Sequence, residues 1–246
     1  MKYVTFITVF IAILALFYCQ KQETEVIICS TIHGFHEKNP NYTYENLFSF
    51  IDSYNPDIIG IEIRQEDMDS TVTYLKKFYP FEMYECISKY IDKKLVGFDW
   101  LGEELEGKSF PDNYRKEMSV IKRLVQELNQ DSIMLKKLSA MDGLVKMKNT
   151  IVFNASLCEL NNGRLDSINA IAFEGLAAIF MNTKYSEITD SFLQRDEHIA
   201  QNIISIINDN PGKKLLFLMG GDHKSYSFKK VKQKFGNQIL LNNNSE

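Results

Sequence analysis

The chain has 246 residues, of which 45% are hydrophobic and 24% charged, and its formal net charge is −4 at pH 7. These values are typical of one globular domain that can bury a sizeable core. Because the lysines are scattered and form no basic stripe, the composition argues against nucleic acid as a partner.

The N-terminal segment differs from the rest of the chain. Lys2 is followed by an apolar run from Val4 to Tyr18, and Cys19 ends this run directly before a polar stretch. The run is shorter than the ~20 residues of a membrane-spanning helix and fits a secretory signal. It also resembles a bacterial lipoprotein signal, whose cysteine is acylated. We therefore predict that residues 1–19 are a signal peptide and lipoprotein anchor to the cell envelope, with an uncleaved membrane anchor as the alternative.

The first half of the remaining domain, 20–246, alternates short apolar runs with amphipathic segments. In chain order these predict a strand at 25–30, a helix at about 43–54, a strand at 58–63, helices at about 67–78 and 82–91, and a strand at 95–98. The strands are apolar on both faces, as buried parallel strands are. The alternation predicts a parallel sheet with helices on its faces.

The second half begins with a long helical region. Residues about 101–210 show helical spacing of apolar residues, with one short strand expected at 151–153. A fourth strand follows at 214–219, then a helix from about 225 and an edge strand at 238–241. The predicted fold is α/β, a mostly parallel sheet flanked by helices, with a helical insertion between the third and fourth main strands. The insertion is placed to cap or wall a site.

Polar side chains follow the ends of the predicted strands. They are His33 and His36 after the first strand, Glu62 at the end of the second, Asp99 after the third and His223 after the fourth. The carboxyl ends of parallel strands meet at one edge of the sheet, where ligands gather. A carboxylate in an apolar strand costs several kcal/mol unless it is paired or bound to a metal. We therefore expect these side chains to converge on a site.

A helix expected at 187–209 contributes further candidates. At ~100° per residue, Arg195, Asn202 and His198 fall along one flank of its apolar stripe. An arginine at the edge of a buried stripe needs an anionic partner. Arg195 and His198 are therefore added to the candidates.

Four short motifs occur in a suggestive order: Ser30-Thr-Ile-His33, Gly60-Ile-Glu62, Arg195-Asp196 and Gly220-Gly-Asp-His223. This order resembles the TraB/Tiki superfamily, which also includes erythromycin esterases and ChaN-type haem-binding lipoproteins. Ser30 stands where the family pattern has glycine. The resemblance implies a hydrolase, or an inhibitor and binder of peptides, with His33, Glu62 and His223 central and Arg195 supporting them.

The leading hypothesis is a metal-dependent, peptidase-like hydrolase. His33, Glu62 and His223 would bind a divalent ion such as Zn, Mn, Co or Fe, which activates a water molecule. Whether Glu62 is a ligand or the general base stays open. Arg195 would stabilise an oxyanion or hold a substrate carboxylate. The remaining candidates for acid, ligand or supporting roles are His36, His198 and Asp99.

Two alternatives remain. One is a metal-free esterase of the erythromycin-esterase kind, in which His33 activates water and Glu62 orients it. The other is a haem- or peptide-binding lipoprotein that is no enzyme. The expected partners are a peptide or a small ester or amide as substrate, and the membrane through the N-terminal anchor.

Overall fold

A computed structural model describes residues 22–111, 114 and 119–242. The predicted signal peptide and anchor, 1–19, lies outside these residues. Within the described ranges, no helix has the length and apolar character to cross a membrane.

The described chain forms a five-stranded sheet in which every pairing is parallel. The strands are β1 (Glu25–Thr31), β2 (Ile58–Arg64), β3 (Lys94–Asp99), β4 (Lys214–Gly220) and β5 (Leu240–Asn242), in the order β3-β2-β4-β1-β5. This confirms the predicted α/β fold. The last strand lies at the edge, as predicted, but is shorter than expected because a 3-10 turn at Gly236–Gln238 takes the residues before it.

Both faces of the sheet are covered by helices, which explains why its strands are almost continuously apolar. Ile27 and Cys29 face one layer of the core, while Val26 and Ile28 face the other. The first face packs against α1 (Tyr44–Tyr54), α2 (Val72–Phe78), α3 (Phe81–Lys89) and part of the insertion. The second face is covered by α9 (Ser186–Asn208) and α10 (Gly221–Phe235).

The insertion between β3 and β4 is helical, as predicted. It contains α4 (Val120–Leu128), α5 (Ser132–Leu138), α6 (Asp142–Asn154), α7 (Leu157–Leu160) and α8 (Arg164–Phe180), and it continues into α9. The strand expected at 151–153 is wrong, because these residues form the last turn of α6. Ile151 and Val152 are buried in the core below the first sheet face, so tertiary packing overrides their β-branched preference.

The strand order creates a crevice at the centre of the sheet. From β1 the chain crosses over β4 to reach β2, whereas from β4 it crosses over β1 to reach β5. Such a reversal leaves an opening at the carboxyl ends of the two adjacent strands, where α/β proteins bind ligands. Residues that follow β1 and β4 therefore meet at the most favourable position for a site.

Candidate active site

Glu62 is the buried acid at the centre of the candidate site. Ile61 and Ile63 face the first layer of the core, so strand alternation turns Glu62 towards α9 on the opposite face. Its Oε1 accepts a hydrogen bond from Arg195 Nη2 at 2.8 Å, and its Oε2 accepts one from the backbone N–H of Gly220 at 2.5 Å. The carboxylate that looked costly in an apolar strand is thus paired by two donors.

These donors keep Glu62 ionised. Burial alone raises the pKa of the Glu62 carboxyl, but the electrostatic attraction of His223 when it is protonated, of Arg195 and of His33 when it is protonated, together with the Gly220 N–H, lowers this pKa to about 2. Asp99 behaves differently, since burial holds its pKa above the usual value in spite of Arg195.

Arg195 joins three elements of the fold. Besides Glu62, its guanidinium donates from Nε to Asp99 Oδ1 at 2.8 Å and from Nη1 to His223 Nε2 at 3.0 Å. These contacts use three of the five N–H donors of an arginine. Its side chain is 21% exposed, so part of it faces solvent.

The contact with Arg195 determines the tautomer of His223. Since arginine can only donate, His223 Nε2 must be the accepting nitrogen. The other nitrogen, Nδ1, then carries the proton and donates it to Asp196 Oδ1 at 2.5 Å. Asp196 therefore fixes the ring so that its lone pair faces Arg195.

His33 approaches the cluster from the end of β1. Its Nδ1 lies 2.7 Å from Glu82 Oε1, and because a carboxylate accepts, Nδ1 donates. Its Nε2 lies 2.7 Å from the position that a Cβ on Gly220 would occupy, and Glu62 Oε2 lies 3.4 Å from the same position. The glycine therefore permits the imidazole to enter beside Glu62. The side chain is 38% exposed, so water can reach it.

The surroundings adjust the basicity of His33. Desolvation by burial lowers its pKa, but the hydrogen bond that His33 donates to Glu82 and the negative charges of Glu62 and Glu82 raise it, and the net shift is upward from the ordinary value. This ring is a stronger base than a free histidine.

The structure thus brings together His33, Glu62, Asp99, Arg195 and His223, but places the other two candidates apart. His36 is buried, with Nδ1 donating to Tyr42 O at 2.7 Å and Nε2 accepting from Ile32 N–H at 3.3 Å. Burial lowers its pKa. These two backbone bonds use both ring nitrogens, so His36 holds the chain after β1 together.

His198 lies on the expected flank of α9, but it stacks on Trp100. The two ring centroids are 3.9 Å apart and the planes are nearly parallel, at 4°. Asn202, on the same flank, donates to Phe98 O at 3.0 Å. The flank as a whole faces β3 and the residues that follow it.

Two carboxylates of the site were not predicted as site residues. Glu82 lies in the first turn of α3 and is fully buried, next to the buried Met83. Its position beside an apolar stripe is the same kind of signal that identified Arg195. Asp196 was noticed only within the Arg195-Asp196 motif, and its burial at 8% exposure shows that it faces inward with its neighbour.

Two of the expected metal-ligand atoms are paired with Arg195 in this structure. Glu62 Oε1 and His223 Nε2 would be two of the ligand atoms, but both accept hydrogen bonds from the cation of Arg195. Across the part of the chain that is described, no three His, Cys, Asp or Glu side chains are grouped as a metal site.

Comparison with known proteins gives no relative from which a role could be transferred. No protein-family model, no curated protein and no solved structure matches this chain.

Proposed function

We propose that the protein hydrolyses an ester or amide bond without a metal, using His33 as the general base. The observation that carries this proposal is the hydrogen bond between Glu82 Oε1 and His33 Nδ1, at 2.7 Å. It leaves Nε2 as the basic nitrogen, beside Glu62, on a side chain that is 38% exposed. A carboxylate-oriented imidazole of this kind is the usual general base of hydrolytic sites.

The reaction would proceed in two steps. His33 Nε2 removes a proton from a water molecule while the oxygen of that water attacks the substrate carbonyl carbon. The carbonyl oxygen gains the negative charge, and the unused N–H donors of Arg195 stabilise it. When the tetrahedral intermediate collapses, the protonated His33 returns the proton to the leaving oxygen or nitrogen, and the ring is neutral again.

The other residues of the cluster would position Arg195. Asp99 holds its Nε, Glu62 holds one Nη, and His223, itself held by Asp196, accepts from the other. Because these partners are fixed before substrate arrives, the donors need not reorganise during the reaction.

The divalent ion expected from the sequence stays a prediction. An ion bound by His33, Glu62 and His223 would have to displace Arg195 from two of its three partners. The TraB/Tiki resemblance likewise remains a proposal. It supports hydrolysis through its erythromycin-esterase branch as well as through its metal-dependent branch.

The test is hydrolysis of a chromogenic acetate ester by the purified domain lacking residues 1–19. His33→Asn is the informative variant, because asparagine tolerates the left-handed backbone that His33 adopts, with φ of 50°. We expect wild type to remain active after exhaustive chelation, and His33→Asn to lose about 100-fold or more of kcat. Circular dichroism of the variant checks that the fold is retained.

Two outcomes contradict the proposal in different ways. Activity lost on chelation and restored by Zn, Mn, Co or Fe would establish the metal-dependent route, and elemental analysis of wild type and His33→Ala would then identify the ion. A folded His33→Asn variant with wild-type kcat would remove His33 from the chemistry.

A further inference from the structure

A cavity of about 670 Å³ opens beside the candidate active site. Its walls come from the chain that follows β3, from the start of α4 and from α9. Arg195 belongs both to this cavity and to the cluster around Glu62, so the cavity and the candidate site share a wall. Small-molecule sites commonly have volumes of ~300–1,000 Å³.

Four aromatic side chains contribute to the walls of this cavity. Trp100, Phe110, Tyr114 and Phe192 all line it. Trp100 and Phe110 are buried, whereas Phe192 is 43% exposed. The Phe192 ring lies 6.4 Å from the His223 ring and nearly parallel to it, at 22°. One aromatic wall therefore extends from the cavity to the cluster.

The charged groups at the cavity are balanced. Glu104 and Glu187 contribute two negative charges, while Lys122 and Arg195 contribute two positive charges. Glu104 and Glu187 are exposed, so water screens them. The cavity therefore has no strong preference for a cation or an anion, and its aromatic walls favour a flat apolar group.

We propose that this cavity binds an aromatic ring of the substrate, so that the protein acts on esters or amides with an aryl group close to the carbonyl. The inference rests on the proposed function. The ring would lie between Phe192 and the buried Trp100, and the carbonyl oxygen would reach Arg195. A saturated ring of the same size lacks the aromatic edge-to-face and stacked contacts.

Trp100 supplies a direct test, because it is the only tryptophan in the chain. Its fluorescence, excited where tyrosine does not absorb, is titrated in the domain lacking residues 1–19 with phenylacetamide, cyclohexylacetamide and acetamide. We expect phenylacetamide to cause a saturable change, cyclohexylacetamide to bind about 2- to 10-fold more weakly, and acetamide to have no effect over the same range.

Substitutions at two neighbouring residues distinguish an effect on the cavity from a general effect on α9. Phe192 and Leu193 are both 43% exposed, but only Phe192 lines the cavity. We expect Phe192→Ala to weaken phenylacetamide binding by about tenfold or more, because truncation removes one aromatic wall. Leu193→Ala should leave the titration unchanged.

The binding assay does not depend on catalysis, so its failure is separate from that of the proposed hydrolysis. Equal affinity for phenylacetamide and acetamide, or unchanged binding in Phe192→Ala, would overturn the aryl subsite even if acetate esters are hydrolysed. Saturable, Phe192-dependent binding by a protein that hydrolyses no ester would uphold the subsite and refute the proposed function.

Discussion

His33 is held in a backbone conformation that non-glycine residues seldom adopt. Its φ is 50°, in the left-handed region, which costs on the order of 1 kcal/mol. Such strain persists where surrounding contacts determine the position, and here the ring is held by Glu82 and by its close approach to Gly220. The strained backbone lowers the stability of the fold but places the His33 ring in one orientation, as expected of a general base.

The pH profile of hydrolysis should reveal the carboxylate behind His33. A base acts only when unprotonated, so activity should rise with pH through the pKa of His33, which is raised from its ordinary value. Glu82→Gln retains the hydrogen-bond acceptor but removes the charge that raises this pKa. We expect the midpoint of the acid limb to move to lower pH, and kcat to fall about tenfold or more.

The matched control for this substitution is Glu85→Gln, one turn further along α3 and partly exposed. It removes the same charge but contacts no residue of the cluster, so the acid limb should stay in place. A midpoint unchanged in Glu82→Gln would show that another group titrates in the reaction.

Two glycine substitutions should distinguish an effect on hydrolysis at the site from an effect on stability in the core. A Cβ at Gly220 would meet the His33 ring, whereas one at Gly60 would lie 2.8 Å from Cε1 of the buried Phe217 ring. We expect Gly220→Ala to abolish most hydrolysis with a small loss of stability. Gly60→Ala should cost about 1–3 kcal/mol in urea unfolding and retain kcat. The reverse pattern would contradict the placement of His33 beside Gly220.

His33, Asp99 and His223 could be predicted from their positions after strand ends, and two further site residues because their burial is costly by itself. Glu62 in an apolar strand and Arg195 beside an apolar stripe each required a partner, and they are partners of each other. Glu82 could not be assigned to His33 from the chain, because that contact depends on how α3 packs against the end of β1. His36 was a candidate because it follows a strand, but both of its ring nitrogens bond only to backbone groups.

At the scale of elements, the segment between β3 and α4 is held in place by one buried arginine. Arg64, at the end of β2, donates to Leu105 O at 2.7 Å and to Lys108 O at 2.9 Å, and pairs with Asp67. Its guanidinium also lies 4.3 Å from the centroid of Phe110, which lines the cavity. The arginine thus fixes the wall that the aromatic subsite needs.

Replacing this arginine should loosen the wall and the fold together. Arg64→Met keeps an apolar stem but leaves the buried Asp67 without its cation and two carbonyls without donors. We expect a loss of about 3–5 kcal/mol in urea unfolding, and weaker phenylacetamide binding. Arg164→Met, at the exposed start of α8, should change stability by no more than ~0.5 kcal/mol. Equal urea-unfolding midpoints for the two variants would contradict the role of Arg64 in holding this segment in place.

Whether a helix or strand could be predicted from the sequence depended on how its surroundings bury it. The long strands were recognisable because two covered faces require continuous apolar sequence. The segment at 151–153 has the same apolar, β-branched character, but it extends a helix that begins at Asp142, and local composition cannot distinguish these outcomes.

At the scale of the whole molecule, the site and the start of the described chain lie at opposite edges of the sheet. The described chain enters β1 at Glu25, at the amino edge, while the cluster forms at the carboxyl edge, seven residues further on. At ~3.3 Å per residue, β1 spans about 23 Å. If Cys19 carries the predicted lipid, we expect the tether to reach the domain at the amino edge of β1, with the site directed away from the membrane.

This geometry predicts that anchoring and catalysis are independent. The full chain should sediment with membranes, the domain lacking residues 1–19 should stay in the supernatant, and both should hydrolyse a soluble acetate ester with equal kcat/KM. Mass spectrometry of the mature N-terminus distinguishes an acylated Cys19 from an uncleaved anchor. A membrane-bound form whose kcat/KM falls severalfold, and recovers on release by detergent, would show that the site faces the bilayer, contrary to the path of β1.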